Sequence, residues 1–553
     1  MAARRAPGTV WLAGTVALSL LAAPSLHAGS QDPLSAIPWL SETLAKPQAA
    51  VAPLPVPSGP KSAPPTKPVP APTARPAPPA TAAPAAMTTP EPPATGTPSE
   101  DITVQSIEGP DRSAAGLVSP KVAGLPADLW LGSDATRLAG MLRAMPPLTH
   151  PALQDLFDTL LVVEAEPPAG SGDTLLVARV DALLLHGALD PAQALLERAG
   201  PDTPDLFRRW FDISLLQGTE DRACATFDAK PDLTPNYPTR TFCLARGGRW
   251  YTAALTLETA TALGQIDPAS RDRMARFLDP DLFEGEPSPA VPDPVTPLDF
   301  RVLEAIGEPV PTTDLPLAFA QTDLRHIIGW KAQLEAAERL ARVGALPANQ
   351  LLGIYTARKP AASGGVWDRV ALIQALDIAL TAGNAEDVAG ILPEAYEAMH
   401  AVGLEAVVSE IFAPRLVRLQ LPDPAAAQAY QMALISNGRT AFAPPRAGLA
   451  LPRMVEFASA LAQETTPTVT APNELASTLH RGLTTDGVPD RFAAQVRSRR
   501  LGEALIEAIT VLAQGPGADP TDAGDAVQLI RAAGLEDAAK QAALQVLLLD
   551  PRG

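Results

Sequence analysis

The sequence predicts an all-α protein: an irregular helical-hairpin solenoid body, preceded by a signal peptide and a disordered Pro/Ala-rich tether. Three observations carry that prediction. Apolar residues make up 46% of the chain and aromatics only 5%, so the apolar share is mainly Ala, Leu and Val. That composition suits Ala/Leu-rich helices better than sheets, which favour β-branched and aromatic residues. The 61 prolines are about twice an average share and crowd into particular stretches. Finally, from about Leu125 onward, helix-length apolar segments end on glycine at nearly regular intervals.

The chain opens with Arg4 and Arg5 ahead of the apolar run WLAGTVALSLLAA. About thirteen residues are too few for a spanning helix, which needs about twenty, but they match the core of a secretory signal. Residues 1–28 therefore read as a signal peptide, cleaved after Ala28 or after Ser25; the competing reading is an uncleaved anchor. Export places the mature protein outside the cytoplasm, in the periplasm where a cell has two membranes, with no membrane span left after cleavage. A formal charge of −18 leaves no basic footprint for nucleic acid, so none is expected as a partner.

Residues 29–46 include DPLSAIPWLSETLAK, in which Asp32-Pro33 is a good helix start. Leu34, Ile37, Trp39, Leu40 and Leu44 supply apolar anchors, and Pro38 kinks the segment. A helix this short is marginal alone. It is expected to dock in a groove, either on a partner or on its own body. Residues 47–100 follow as the tether, whose prolines forbid continuous helix or ladder pairing and give a reach on the order of 100 Å. Residues 101–124 read as an extended lead-in, with ITVQSI as a short strand.

The body starts near Leu125. SDATRLAGMLRAM offers Ser133 or Asp134 as a cap and sets Leu138, Met141, Leu142 and Met145 on one stripe. Further on, LLLHGALDPAQALLERAG, SLLQGTEDRACATFDAK, LARGGRWYTAALTLETA and ALTAGNAEDVAGILPEA share one grammar. A helix ends on glycine (Gly187, Gly218, Gly248, Gly383), and five residues later a small or apolar residue (Ala192, Ala223, Ala253, Val388) opens the next helix. Glycine supplies the left-handed exit, and the small side chain lets the two helices approach. Looser copies surround Gly344 and Gly534. The Pro-rich, acidic stretch 281–299 then divides the body into lobes 125–280 and 300–553, either as a link between them or as a wrap across one.

This grammar resembles the tetratricopeptide and related α-hairpin repeat families over roughly Leu125 to Leu549, since the first three glycines lie 31 and 30 residues apart, near the ~34-residue repeat. The Trp-Leu-Gly…Tyr signature of the full consensus is missing. The resemblance implies stacked hairpins and a protein-binding surface, and it supplies no catalytic residue. The chain is also similar to uncharacterised exported proteins of alphaproteobacteria, some labelled antifreeze from their composition. No eleven-residue threonine register accompanies that likeness, so ice binding is not expected.

Cys224 and Cys243 flank a Pro-rich turn. In an oxidising compartment such an isolated pair reads as a structural disulfide, the alternative being two buried thiols. The loop YTARKPAASGGVWDR sets Tyr355, Arg358, Lys359 and Trp367 around glycine hinges. It is a candidate recognition loop, or else a long connection whose Trp367 folds inward. The histidines are scattered; His326 reads as a packed helix histidine beside Trp330. No zinc-ligand spacing, serine elbow, phosphate loop or dinucleotide fingerprint occurs, so no cofactor, metal or catalytic residue is expected. The function expected is a non-enzymatic periplasmic scaffold or adaptor binding protein partners of an envelope assembly, close to the cell wall. The alternative is a cell-wall-active enzyme or its activator.

Overall fold

The structure, a computed structural model, describes residues 112–233, 236–436, 444–463 and 469–549 of the chain. The expectations for the signal peptide, for the segment carrying Leu34, Ile37, Trp39, Leu40 and Leu44, for the tether and for the ITVQSI strand lie outside these residues.

The described residues are all-α. Their sole β feature is one isolated parallel bridge between Val118 and Val163. After a 3-10 turn at Arg112–Ala114 come α1 (Pro120–Ala123), α2 (Ala135–Ala144) and α3 (Pro151–Val162). Three hairpins follow: α4 (Thr174–Leu185) with α5 (Leu189–Ala199), α6 (Pro204–Gln217) with α7 (Glu220–Ala229), and α8 (Tyr237–Arg246) with α9 (Trp250–Ala262). The Pro-rich stretch lies between α10 (Pro268–Leu278) and α11 (Pro297–Ala305). A 3-10 segment, Leu317–Leu324, leads into α12 (Trp330–Ala341), α13 (Ala348–Thr356), α14 (Val366–Ala382), α15 (Ala385–His400), α16 (Glu405–Leu416) and α17 (Asp423–Ile435). The chain ends with α18 (Arg453–Ala462), α19 (Glu474–Thr484), α20 (Asp490–Arg497), α21 (Leu501–Leu512), α22 (Pro520–Ala532) and α23 (Glu536–Leu548).

The hairpin grammar is realised in side chains. Gly218 and Gly383 close α6 and α14 in the left-handed region, at φ 74° and 68°, where a Cβ would be strained. Ala192, Ala223, Ala253 and Val388, five residues after their glycines, are fully buried where the paired helices meet. Asp134 is the α2 cap, accepting from the Arg137 N–H at 2.8 Å, and Leu138, Leu142 and Met145 are buried below it.

The described residues form one compact unit, and its core does not part at 281–299. One apolar cluster takes residues from Leu125 to Phe319 and again from Tyr430 to Leu547; a second is built from Ala320 to Ala433. The Pro-rich stretch is a strap over the surface. Buried Arg273 of α10 holds it by donating to Asp299 at 3.0 Å and to the Ala290 carbonyl at 3.5 Å. Prolines mark where helices stop, which is a different matter from where a core divides.

Because the first cluster draws on both ends of the body, the row of hairpins curls back on itself. Trp130, fully buried, lies against Gly502 at the start of α21, where a Cβ would stand 1.9 Å from the indole ring. Backbone bonds seal the seam: the Gly502 N–H donates to the Leu129 carbonyl at 3.1 Å, and the Gly132 N–H donates to the Arg499 carbonyl at 3.0 Å. The Gln545 side chain of α23 accepts from the Ala152 N–H at 2.8 Å.

The lead-in is tied down by Arg179 of α4. Its buried guanidinium donates to the carbonyls of Leu161, Val163 and Ala115 at 2.5, 2.9 and 2.8 Å. Carbonyls at a helix end lack intrahelical partners, and one planar five-donor group satisfies two of them together with the carbonyl of a passing strand of chain. Burial pulls the Arg179 pKa down to about 10. His326 departs from expectation. It is exposed in a turn, because Gly329 stops the preceding chain and α12 begins only at Trp330.

Candidate protein-docking face on helix α9

Helix α9, WYTAALTLETATA, is apolar on two sides. Ala253, Leu257 and Ala260 form its buried side. The other side faces solvent: Trp250 is 48% exposed, Tyr251 95%, Leu255 68% and the following Leu263 62%. Tyr251, Leu255, Thr259 and Leu263 succeed one another every four residues. That spacing makes the i±4 ridge which, in helix–helix packing, lies in the groove of a second helix. Exposed apolar residues grouped along one ridge, with Thr259 between Leu255 and Leu263, make it a candidate interaction surface.

The neighbourhood holds α9 rigid. The Cys224–Cys243 disulfide, with S–S 2.02 Å, joins α7 to α8 and is buried under the hairpin that carries α9. A run of aromatic rings rises from the core to the patch: Phe207 to Phe211 at 6.3 Å, Phe211 to Phe242 at 6.2 Å, Phe242 to Phe277 at 5.5 Å, and Phe277 to Trp250 at 6.2 Å. Ring contacts at these separations are favourable beyond their burial, so Trp250 is positioned while still half in water.

Beside the ridge lies a cleft of ≈ 470 Å³ whose lining includes Phe227, Tyr237, Leu244, Leu255 and Thr259. Its cations are already engaged. Arg240 stacks over Phe227 at 5.5 Å and donates to the Pro231 carbonyl, and Arg249 pairs with Asp228 at 2.5 Å. Arg246 pairs with Asp221 at 2.6 Å and Arg271 with Glu258 at 3.0 Å. Three of these four cations are thus paired with carboxylates, and what the face mainly offers is apolar ridge.

The residues singled out from sequence fall in different places. Cys224 and Cys243 form the expected bridge. Tyr355 is buried; its hydroxyl donates to Glu338 at 2.6 Å, and Arg369 grips the same carboxylate at 2.8 and 2.6 Å. Burial and the adjoining Glu338 raise the Tyr355 pKa well above its ordinary value. Trp367 is half-buried against Trp330, ring centroids 5.2 Å apart. Arg358 and Lys359 stay exposed in the loop, held from behind where Gln374 donates to the Arg358 carbonyl at 2.6 Å. The loop thus turns its aromatics into the second core cluster and its cations to water.

The α9 face itself was missed. Its only sequence signal is the pair Trp250-Tyr251 directly after a Gly-Gly-Arg turn, with Leu255 four residues beyond Tyr251. Among the described residues no helix is long and apolar enough to cross a membrane. Compared with known proteins, the chain matches no family model, no curated protein and no solved structure.

Proposed function

We propose that this is an exported, non-enzymatic adaptor that holds an envelope protein partner against the outer face of α9. The observation that carries the reading is the solvent-exposed ridge of Tyr251, Leu255 and Leu263 on a helix whose opposite side is fully packed. The partner is an apolar helix, because Arg246, Arg249 and Arg271 on the rim are paired within the chain and leave little charge to complement, while the ridge spacing is that of helix–helix packing. A periplasmic setting is supported by the Arg4-Arg5 and apolar leader pattern and by a disulfide that suits an oxidising compartment.

The test is site-specific photocrosslinking of the full chain in envelope preparations. A photoreactive residue replaces Leu255, and in a control it replaces Lys359 in the loop between α13 and α14. A discrete adduct from position 255, missing from position 359 and abolished by Tyr251→Glu, is the expected result. Adduct patterns that are the same from both positions, or that survive Tyr251→Glu, overturn the proposal.

A further inference from the structure

A second cleft, of ≈ 440 Å³, opens where the start of α5, the end of α6 and Thr219 face the 3-10 segment Leu317–Leu324. Its apolar lining is aliphatic: Leu189, Leu216 and Leu324. Its polar lining is rich in acceptors. Gln217 donates through Nε2 to Asp190 Oδ1 at 2.8 Å, which fixes the carboxamide, since the flipped form would set two acceptors against each other. Gln217 Oε1 is then buried without a hydrogen-bond partner, a state that costs free energy until a donor arrives.

Two neighbouring glutamines are oriented the same way. Gln321 gives its N–H to the Gly187 carbonyl at 2.9 Å, and Gln193 gives its own to Glu197 at 3.1 Å. Each therefore has a carbonyl oxygen left to accept with. The single cation on the lining, Arg325, is spent: its Nε donates to the Thr322 carbonyl at 2.7 Å and its Nη atoms pair with Glu304.

Three carboxamide oxygens, one carboxylate and an aliphatic wall describe a site for a donor-only cationic head on a methylene chain. We infer that this cleft binds a primary ammonium group on an aliphatic chain, of a small amine or of a lysine side chain. Ammonium carries three N–H donors and no acceptor, so Gln217 Oε1, Asp190 and a second carboxamide oxygen satisfy it while the leucines take the methylenes. This inference is independent of the α9 reading, which concerns a different hairpin.

The experiment is titration of the full chain by calorimetry or saturation-transfer NMR with cadaverine. The matched probes are 1,5-pentanediol, which has the chain without charge, and tetramethylammonium, which has charge without N–H donors. Cadaverine is expected to saturate one site, with both matched probes at least about tenfold weaker. Gln217→Met should weaken cadaverine at least about fivefold and Asp190→Asn more, in proteins whose melting midpoints are unchanged. Nα-acetyl-lysine amide distinguishes the sources: binding comparable to cadaverine assigns the site to lysine side chains, and much weaker binding assigns it to free amines. Absence of saturable cadaverine binding overturns the inference. So does indifference to both substitutions, or tetramethylammonium binding as well as cadaverine, which would indicate mere attraction to an acidic protein.

Discussion

Substituting Gly502 by alanine should break the seam that closes the body, and Trp130 should be the reason. The added Cβ would stand 1.9 and 2.1 Å from two carbons of the indole, and neither side has room to give. Trp130 is fully buried, and both segments are tied by the Gly502-to-Leu129 and Gly132-to-Arg499 bonds. Overpacking a tight core costs about 1–3 kcal/mol, occasionally more, and this contact belongs at or above the upper end. Alanine recovers at most about 1 kcal/mol of helix propensity at the start of α21, so a net loss of about 2 kcal/mol or more is expected for Gly502→Ala. Trp130→Ala should cost about 3–5 kcal/mol by itself. In that background there is no ring to strike, so Gly502→Ala should cost nothing or stabilise slightly. The four proteins are compared by urea unfolding followed by circular dichroism. A coupling energy of about 2–3 kcal/mol between the two sites is the signature of direct contact. If Gly502→Ala costs the same, within about 0.5 kcal/mol, with and without Trp130, the two ends of the body do not meet in this way and the shared core is refuted.

Reduction of the Cys224–Cys243 bridge, or its double replacement by alanine, should cost about 3 kcal/mol for a loop of this size, read as a lowered urea midpoint that dithiothreitol reproduces in the native chain. Burial pushes the Asp212 carboxyl up to about 7 from its usual 3.8, against the pull of Arg208 and Arg209. A carboxyl raised on folding contributes stability below its unfolded pKa and loses it as pH climbs through the window from 3.8 to 7. Asp212→Asn should therefore gain on the order of 2 kcal/mol over the native chain at pH 8, after a discount for residual solvent contact, and the gain should vanish below pH 4 in paired thermal melts. His150 works in the opposite sense. Burial lowers it to about 4 from 6.5, so it costs stability as pH falls from 6.5 toward 4, and His150→Gln should flatten that part of the stability curve. Tyr355→Phe should cost about 1–2 kcal/mol, because Glu338 loses one donor but keeps Arg369; calorimetric melts check it. Tyr251→Glu and Leu255→Glu should leave stability within about 0.5 kcal/mol, since neither side chain is packed, and any effect they have must appear in binding.

What the sequence disclosed is what is encoded over a few residues. A glycine in the left-handed region and a small residue five positions on are both local requirements of one hairpin, so Gly218 with Ala223 and Gly383 with Val388 were legible. The Cys224–Cys243 bridge spans a single turn and was legible for the same reason. The seam between Trp130 and Gly502 was not, because it depends on the summed curvature of every hairpin in between, and no residue in either segment announces its opposite number. The strap at 281–299 was legible only as a choice between a link and a wrap, for a related reason: proline reports the end of a helix, whereas the core parts near Ala320 and again near Tyr430.

Helix α9 was illegible for a more specific reason. A helix apolar on both sides has no periodicity that distinguishes its packed face from its open one, so nothing in the sequence sets Trp250, Tyr251 and Leu255 apart from Ala253, Leu257 and Ala260, which fill the core. The same ambiguity gives the face its functional weight. A ridge exposed by chance on a mobile element would lose on ordering what it gained on docking. This one stands on a hairpin braced by a disulfide and propped by stacked rings through Phe277, so the cost of ordering it has been met in folding. A partner helix would bury Tyr251, Leu255 and Leu263 on a backbone already fixed in place, with only their side chains left to order, and that pre-organisation is why the proposal rests on α9 rather than on the loop of Arg358 and Lys359.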